Sequence, residues 1–174
     1  MKKLKINFLF YLFILIFGIS NAKAQAVDYS VYANIIYRFT KYIEWPDQKS
    51  GEFVIGVIGE SSLDEELQKL TAGKTAGGRP IKIVSYIGNE KDFPCSILFL
   101  IADESSQLKY VLAITKDNPV FIITDKKGFS LKGACINFSM ANGHLELEMN
   151  KKNIEQRHIK VATELVGLCK VVEK

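Results

Sequence analysis

Three short, almost wholly apolar runs constrain this chain more than any other feature: Phe53 to Ile58, Ile97 to Ala102 and Val120 to Thr124. Runs of this length suit strands. A strand apolar on both sides has to be covered on both sides, as happens at the centre of a parallel sheet between helix layers. The segments around these runs carry helical spacing. Tyr32, Ile35, Ile36, Phe39, Tyr42 and Ile43 recur at intervals of three and four, which predicts an amphipathic helix from Asp28 to Ile43. Glu44-Trp45-Pro46 ends it, because the residue before a proline is pushed out of helical geometry. Ser62 and Glu65 have capping-box spacing for a second helix, buried through Leu63, Leu67 and Leu70. A third carries Leu108, Val111, Leu112 and Ile114.

Gly73 to Pro80 reads as a glycine-rich loop leading into a strand at Ile81 to Tyr86. Ala134 to Met140 and His144 to Met149 alternate with period two around Asn142-Gly143, the signature of a β-hairpin. Leu145 and Leu147 face one way, and His144, Glu146 and Glu148 the other. From Asn150 the pattern is helical again, broken at Arg157-His158, with a final helix near Ala162 to Val171. Strands separated by helices imply a parallel centre with right-handed crossovers, to which the late hairpin adds antiparallel strands. The expected fold is therefore a single α/β domain: a mixed, mainly parallel sheet with flanking helices and a C-terminal antiparallel hairpin. No internal repeat or low-complexity tract interrupts it.

The first 24 residues belong to something else. Lys2, Lys3 and Lys5 precede an apolar run from Phe8 to Ile19, and Ala22-Lys23-Ala24 is a small-x-small site. These are the parts of a cleaved secretory signal. The run falls short of the ~20 residues that span a hydrocarbon core, so an uncleaved tether is the weaker reading. Residues 25–174 would then be the working domain, placed in the periplasm. Removing Lys2, Lys3, Lys5 and Lys23 from the 23 basic residues leaves as many bases as the 19 acids. A neutral domain lacks the charge that neutralises phosphates, which argues against nucleic acid as a partner.

An oxidising compartment permits one bridge among the three cysteines. Cys169 falls in a helical apolar series with Val161, Leu165, Leu168 and Val172, and reads as core. Cys95 and Cys135 each adjoin a predicted strand. They form a disulfide only if the fold brings those strands' ends together.

Catalytic and cofactor signatures are weak. Gly73-Lys74-Thr75 resembles the end of a phosphate-binding loop, but Gln68 stands where its first glycine belongs and a strand follows instead of a helix. Gly56-x-x-Gly59 lies between a strand and a helix, yet matches only part of a dinucleotide fingerprint. The plain reading is a tight turn, with backbone donors able to hold an anion. The only histidines, His144 and His158, have no histidine or cysteine at ligand spacing and no nucleophile elbow nearby. Glu146 and Glu148 share a strand face, as exposed strand charges commonly do, and make a poor glycosidase pair. The expectation is a protein with no catalytic residues, no metal and no cofactor.

Read in order, Tyr42-Ile43-Glu44-Trp45-Pro46, Ile55-Gly56-Val57-Ile58-Gly59, Gly77-Gly78-Arg79-Pro80-Ile81 and Cys95-Ser96-Ile97-Leu98-Phe99 form a series. Pro119-Val120-Phe121, Asp125, Gly128-Phe129, Gly133 and Ile136-Asn137 continue it. From Tyr32 to Val172 the chain resembles the YfiR family of secreted proteins. The resemblance implies an α/β periplasmic regulator with a tendency to dimerise. Its best-known members hold a membrane diguanylate cyclase inactive by binding its extracytoplasmic sensor domain, and related domains accompany sensor kinases. The cysteines depart from the pattern. Cys95 lies where the family often has a bridged cysteine, but its first-strand partner position is Gly56, and no cysteine pair falls near Lys126 to Gly133. Redox control through those bridges does not carry over.

A binding module needs an exposed patch rather than reactive groups. Interface anchors favour Trp, Tyr and Arg, so Tyr42, Trp45, Arg79 and the loop aromatic Phe129 are the partner-contact candidates. Trp45 has a competing role in fixing the helix exit, and Phe129 one as a lid over the sheet edge. The expected partner is the extracytoplasmic domain of a membrane-bound diguanylate cyclase or histidine kinase, the membrane being met only through it. The alternative is a small-molecule sensor, with its ligand at the carboxyl ends of the parallel strands near Gly59, Asp103 and Asp125.

Overall fold

The computed structural model describes residues 27–46, 51–141 and 143–173. The expected secretory leader and Asn142 of the hairpin turn lie outside the described residues. Helix α1 (Tyr29–Tyr42) starts where the sequence places it, capped by Asp28, whose carboxylate accepts from the Ser30 backbone N–H at 3.0 Å. The chain leaves it through a short strand, β1 (Ile43–Glu44), and enters β2 (Phe53–Ile58). Helix α2 (Leu63–Thr71) follows. Its expected capping box does not form: the Ser62 side chain makes no cap bond, and the hydroxyl of Ser61, one residue earlier, takes the Leu63 N–H at 3.1 Å.

The glycine-rich loop is a hairpin rather than a loop. β3 (Thr75–Ala76) pairs antiparallel with the start of β4 (Arg79–Tyr86). Gly77 and Gly78 between them have φ of +55° and +78°, the pair of left-handed residues that a two-residue turn of this hand demands. β5 (Ile97–Leu100), a 3₁₀ turn, helix α3 (Leu108–Ile114) and β6 (Phe121–Thr124) come next. β7 (Ile136–Ala141) and β8 (His144–Met149) make the expected hairpin. The C-terminal region differs from expectation. Short helices α4 (Lys151–Glu155) and α5 (Thr163–Gly167) are separated by β9 (Lys160–Val161), and the last turn of the expected helix is instead a strand, β10 (Lys170–Val171).

The main sheet runs β10-β8-β7-β6-β5-β2-β4-β3, parallel from β4 through β2, β5 and β6 to β7. β1 and β9 form a separate antiparallel pair, Ile43 opposite Val161. Because strand side chains alternate, the central strands feed two cores. Ile55, Val57, Ile97, Phe99, Phe121 and Ile123 pack with α1, α2 and α5 on one face. Ile58, Leu98, Leu100, Val120 and Ile122 pack with Leu108 and Val111 of α3 on the other. This explains why the strands read as unbroken apolar runs. The aromatic centre of the first core, Tyr32, Phe39, Phe99, Phe121 and Phe138, is held in edge-to-face and tilted contacts with centroids 4.9 to 6.1 Å apart.

Candidate functional site

Two of the four partner-contact candidates converge. Trp45, at the exit of α1, sets its ring edge-on to Phe53 at 5.0 Å, and its Nε1 donates to the Ser96 carbonyl at 3.1 Å. Arg79, at the start of β4, covers the same Phe53 ring with its guanidinium 4.9 Å away. Its Nη2 reaches the Ser96 hydroxyl at 3.4 Å. Phe53 thus lies between a tryptophan and an arginine at the amino ends of β2 and β5. Trp45 and Arg79 are each half-buried and line a common groove of about 210 Å³. Trp45 fixes the connection from α1 to β2 through this bond and ring contact, and part of it stays exposed. Tyr42 is half-buried against the first core, and its carbonyl takes the Ala162 N–H at 2.8 Å.

Phe129 does not join them. It is 7% exposed and belongs to the second core, near the carboxyl end of β6. The ammonium groups of Lys132 and Lys126 stand 4.6 and 5.8 Å from its ring centroid. Flanking lysines that suggest an exposed loop on paper here cover the aromatic, which packs into the second core instead of standing out on the loop.

The disulfide expectation is also corrected. All three cysteines are free thiols. Cys135 is buried in the first core and Cys95 packs on the second, so the sheet itself separates them. Burial pushes the Cys135 and Cys169 thiols up to about 11 and Cys95 higher still.

At the carboxyl ends of the strands, Gly59 and Asp103 line a groove of about 680 Å³. Asp125, immediately after β6, sits deeper. Burial raises its carboxyl to about 6, the neighbouring Asp103 adding to the effect, while its Oδ1 is sealed from solvent with no described hydrogen-bond partner. In turn Asp125 helps burial raise the phenols of Tyr29 and Tyr32. Glu60, Asp64 and Glu104 also line the groove, without a lysine or arginine among its lining residues. Such a field repels an anion, so backbone donors near Gly59 do not make an anion site. Among the described residues, no group of three or more His, Cys, Asp or Glu is arranged to hold a metal. Glu148 is buried and faces Lys170 at 3.7 Å, so it is committed to an ion pair rather than to Glu146.

A family profile described as YfiR/HmsC-like matches residues 29–170. The chain belongs to the YfiR/HmsC-like family. No curated protein matches it in a sequence search. The matched span runs from the first residue of α1 to the first residue of β10, so the family assignment covers the described sheet except for its last residue, Val171. YfiR/HmsC-like proteins are periplasmic regulators, regulatory rather than catalytic. No helix among the described residues is long and apolar enough to cross a membrane.

One residue of this YfiR/HmsC-like chain was missed by sequence reasoning as a site residue. Arg157, read only as part of a helix break, is 8% exposed and donates from Nη1 to the carbonyl and hydroxyl of Thr115, at 3.1 and 3.3 Å. Its one sequence signal is position: Arg157 stands between Ile154 and Ile159, both of which turn out to be core.

Proposed function

We propose that this protein is an exported, non-enzymatic regulator. It binds the extracytoplasmic domain of a membrane-bound signalling protein, a diguanylate cyclase or a histidine kinase, and shifts the balance between its active and inactive states by binding one better. The observation that carries the reading is the family match across residues 29–170. The convergence of Trp45 and Arg79 on Phe53 supports it, because a tryptophan and an arginine held at the amino ends of rigid strands are pre-organised as interface anchors. Export rests on the leader-like residues Met1–Ala24.

The test has a cellular and a molecular arm. Deleting the gene changes cyclic di-GMP or biofilm output if the partner is a cyclase, or expression of a kinase regulon if it is a kinase. A photo-crosslinking residue at position 79 captures a membrane protein with a periplasmic domain, and the same residue at the buried position 129 does not. Unchanged signalling in the deletion strain, together with no membrane protein captured from position 79, would refute the proposal.

A further inference from the structure

The amino ends of the strands carry a second cavity, distinct from the Trp45 groove in its chemistry. It encloses about 730 Å³ and is walled by Arg157, His158, Lys116, Asn118 and Gln156, with Asp117 the one carboxylate in its lining. Arg157 is more than nine-tenths buried, yet no described carboxylate lies within ion-pair distance of it. Burial lowers its pKa from the ordinary value, but a guanidinium stays charged in a protein. Nη1 makes both of its bonds to Thr115, and no described residue accepts from Nη2 or Nε. Neither of those nitrogens is sealed from solvent without a partner, so the unused side of the fork opens on the cavity.

With no carboxylate beside it, the guanidinium leaves its open nitrogens to the water of the cavity, which an anion can displace with paired hydrogen bonds. Bonding the carbonyl of Thr115, the C-cap of α3, explains one nitrogen of Arg157 and leaves the rest of the fork unexplained. His158 stands next to Arg157 in the cavity lining. Its φ of +57° is the one left-handed value among described non-glycine residues, at the stop of α4 where glycine is least strained. Histidine tolerates this region better than most side chains, yet still less well than glycine. The stop of α4 is closed by the His158 N–H on the Glu155 carbonyl at 2.9 Å and the Ile159 N–H on the Ile154 carbonyl at 3.3 Å, and this turn sets the imidazole at the cavity wall. The two ends of the sheet therefore have opposite character: four acids line the groove at the carboxyl ends, while Arg157, Lys116 and His158 line this one.

We propose that this cavity binds a small organic anion. Its phosphate or carboxylate meets the open side of the Arg157 guanidinium, and Lys116 and His158 complete the contact. A planar fork matches either group with paired hydrogen bonds. The inference does not depend on the partner protein. It would make the regulator responsive to a periplasmic solute at the sheet end where Trp45 and Arg79 lie.

The test uses purified protein titrated separately with inorganic phosphate and with succinate, against sodium chloride at matched ionic strength. Thermal melting and amide NMR shifts are the readouts. One of the two anions raises the melting temperature saturably and moves the amides of residues 115–118 and 156–158. Which anion does so identifies the headgroup. Arg157→Met weakens binding about tenfold or more, as expected for lost charge-assisted bonds. Should that variant unfold, Lys116→Ala and His158→Gly decide the matter. Both keep the fold, the glycine relieving the backbone, and each weakens binding several-fold. Asp117→Asn tightens it. The proposal is overturned if neither anion exceeds chloride, if the shifts map elsewhere, or if Lys116→Ala and His158→Gly both bind like the wild type.

Discussion

The indole of Trp45 donates to the carbonyl of Ser96 across 51 residues of chain, at 3.1 Å. The same carbonyl also takes the Phe121 N–H at 2.9 Å, so one oxygen joins the exit of α1 to the start of two central strands. Trp45→Phe keeps an aromatic on Phe53 and loses the indole donor, at a cost of about 1 kcal/mol. Trp45→Ala also removes the ring and costs about 3 kcal/mol, the lower part of the range for aromatic deletions because the residue is half-buried. Urea unfolding measures both. Equal stability of wild type and Trp45→Ala would mean that the ring is held for a partner alone.

The thiols should be silent. Cys95 and Cys135 lie in different cores, and burial holds both in the protonated form, which is a poor nucleophile. Adding a reductant is expected to leave the melting temperature unchanged. A colourless-to-yellow thiol reagent should label the buried Cys135 only as fast as the protein unfolds, and the half-buried Cys95, which lines the Trp45 groove, slowly in the folded protein. A mobility shift between reduced and unreduced samples on a denaturing gel, traced to a Cys95–Cys135 peptide, would contradict the placement of the two residues on opposite sides of the sheet.

What could be read from sequence follows from how local each signal is. Asp28 and Pro46 bracket α1 by caps and breakers that act within a turn, and the helix lies at Tyr29–Tyr42 as the spacing predicts. The central strands were legible because burial on both faces leaves no polar alternation to confuse. The C-terminal segment was not. Val161, Leu165, Leu168, Cys169 and Val172 keep a helical period, but the sheet edge at β8 takes the chain back as β10. The Val172 N–H bonds to the Met149 carbonyl at 2.8 Å, and Leu168 is left 71% exposed. Propensity yields there to a tertiary backbone ladder that no local pattern announces. The same limit hid Arg157, whose partner Thr115 lies 42 residues away. Trp45 and Arg79 could be named singly from composition, but their meeting over Phe53 depends on β2 pairing with both β4 and β5.

Asp125 should make stability depend on pH in a direction opposite to the usual carboxylate. Its folded pKa of about 6 lies above the ordinary 3.8, chiefly because burial disfavours the charged form. The fold therefore prefers the protonated acid. This contribution is complete below the unfolded value and is lost as pH rises through the folded one. Asp125→Asn removes the titration. Allowing for solvent on its open side, the variant should be about 1–2 kcal/mol more stable than wild type near neutral pH. The gap should narrow towards about pH 4.5. Urea midpoints at several pH values test this, and a variant equally destabilised at every pH would show that the carboxylate is satisfied when ionised.

Gly56 tests how tightly the centre of the sheet is packed. It is buried in β2, between β4 and β5, and its φ is ordinary, so space alone decides what fits there. A Cβ at this position would stand 2.6 Å from Cε2 of Tyr86 and 2.8 Å from Cδ1 of Leu98. Both distances are below contact, and Tyr86 is itself set edge-on to the buried Phe93 at 5.3 Å, which limits its retreat. Gly56→Ala should cost about 1–3 kcal/mol through overpacking, despite the better strand propensity of alanine. If the clash is the cause, shortening Leu98 to Val should recover part of the loss in the double variant, by about 0.5 kcal/mol or more beyond additivity. Additive costs would place the damage in the backbone rather than between these side chains.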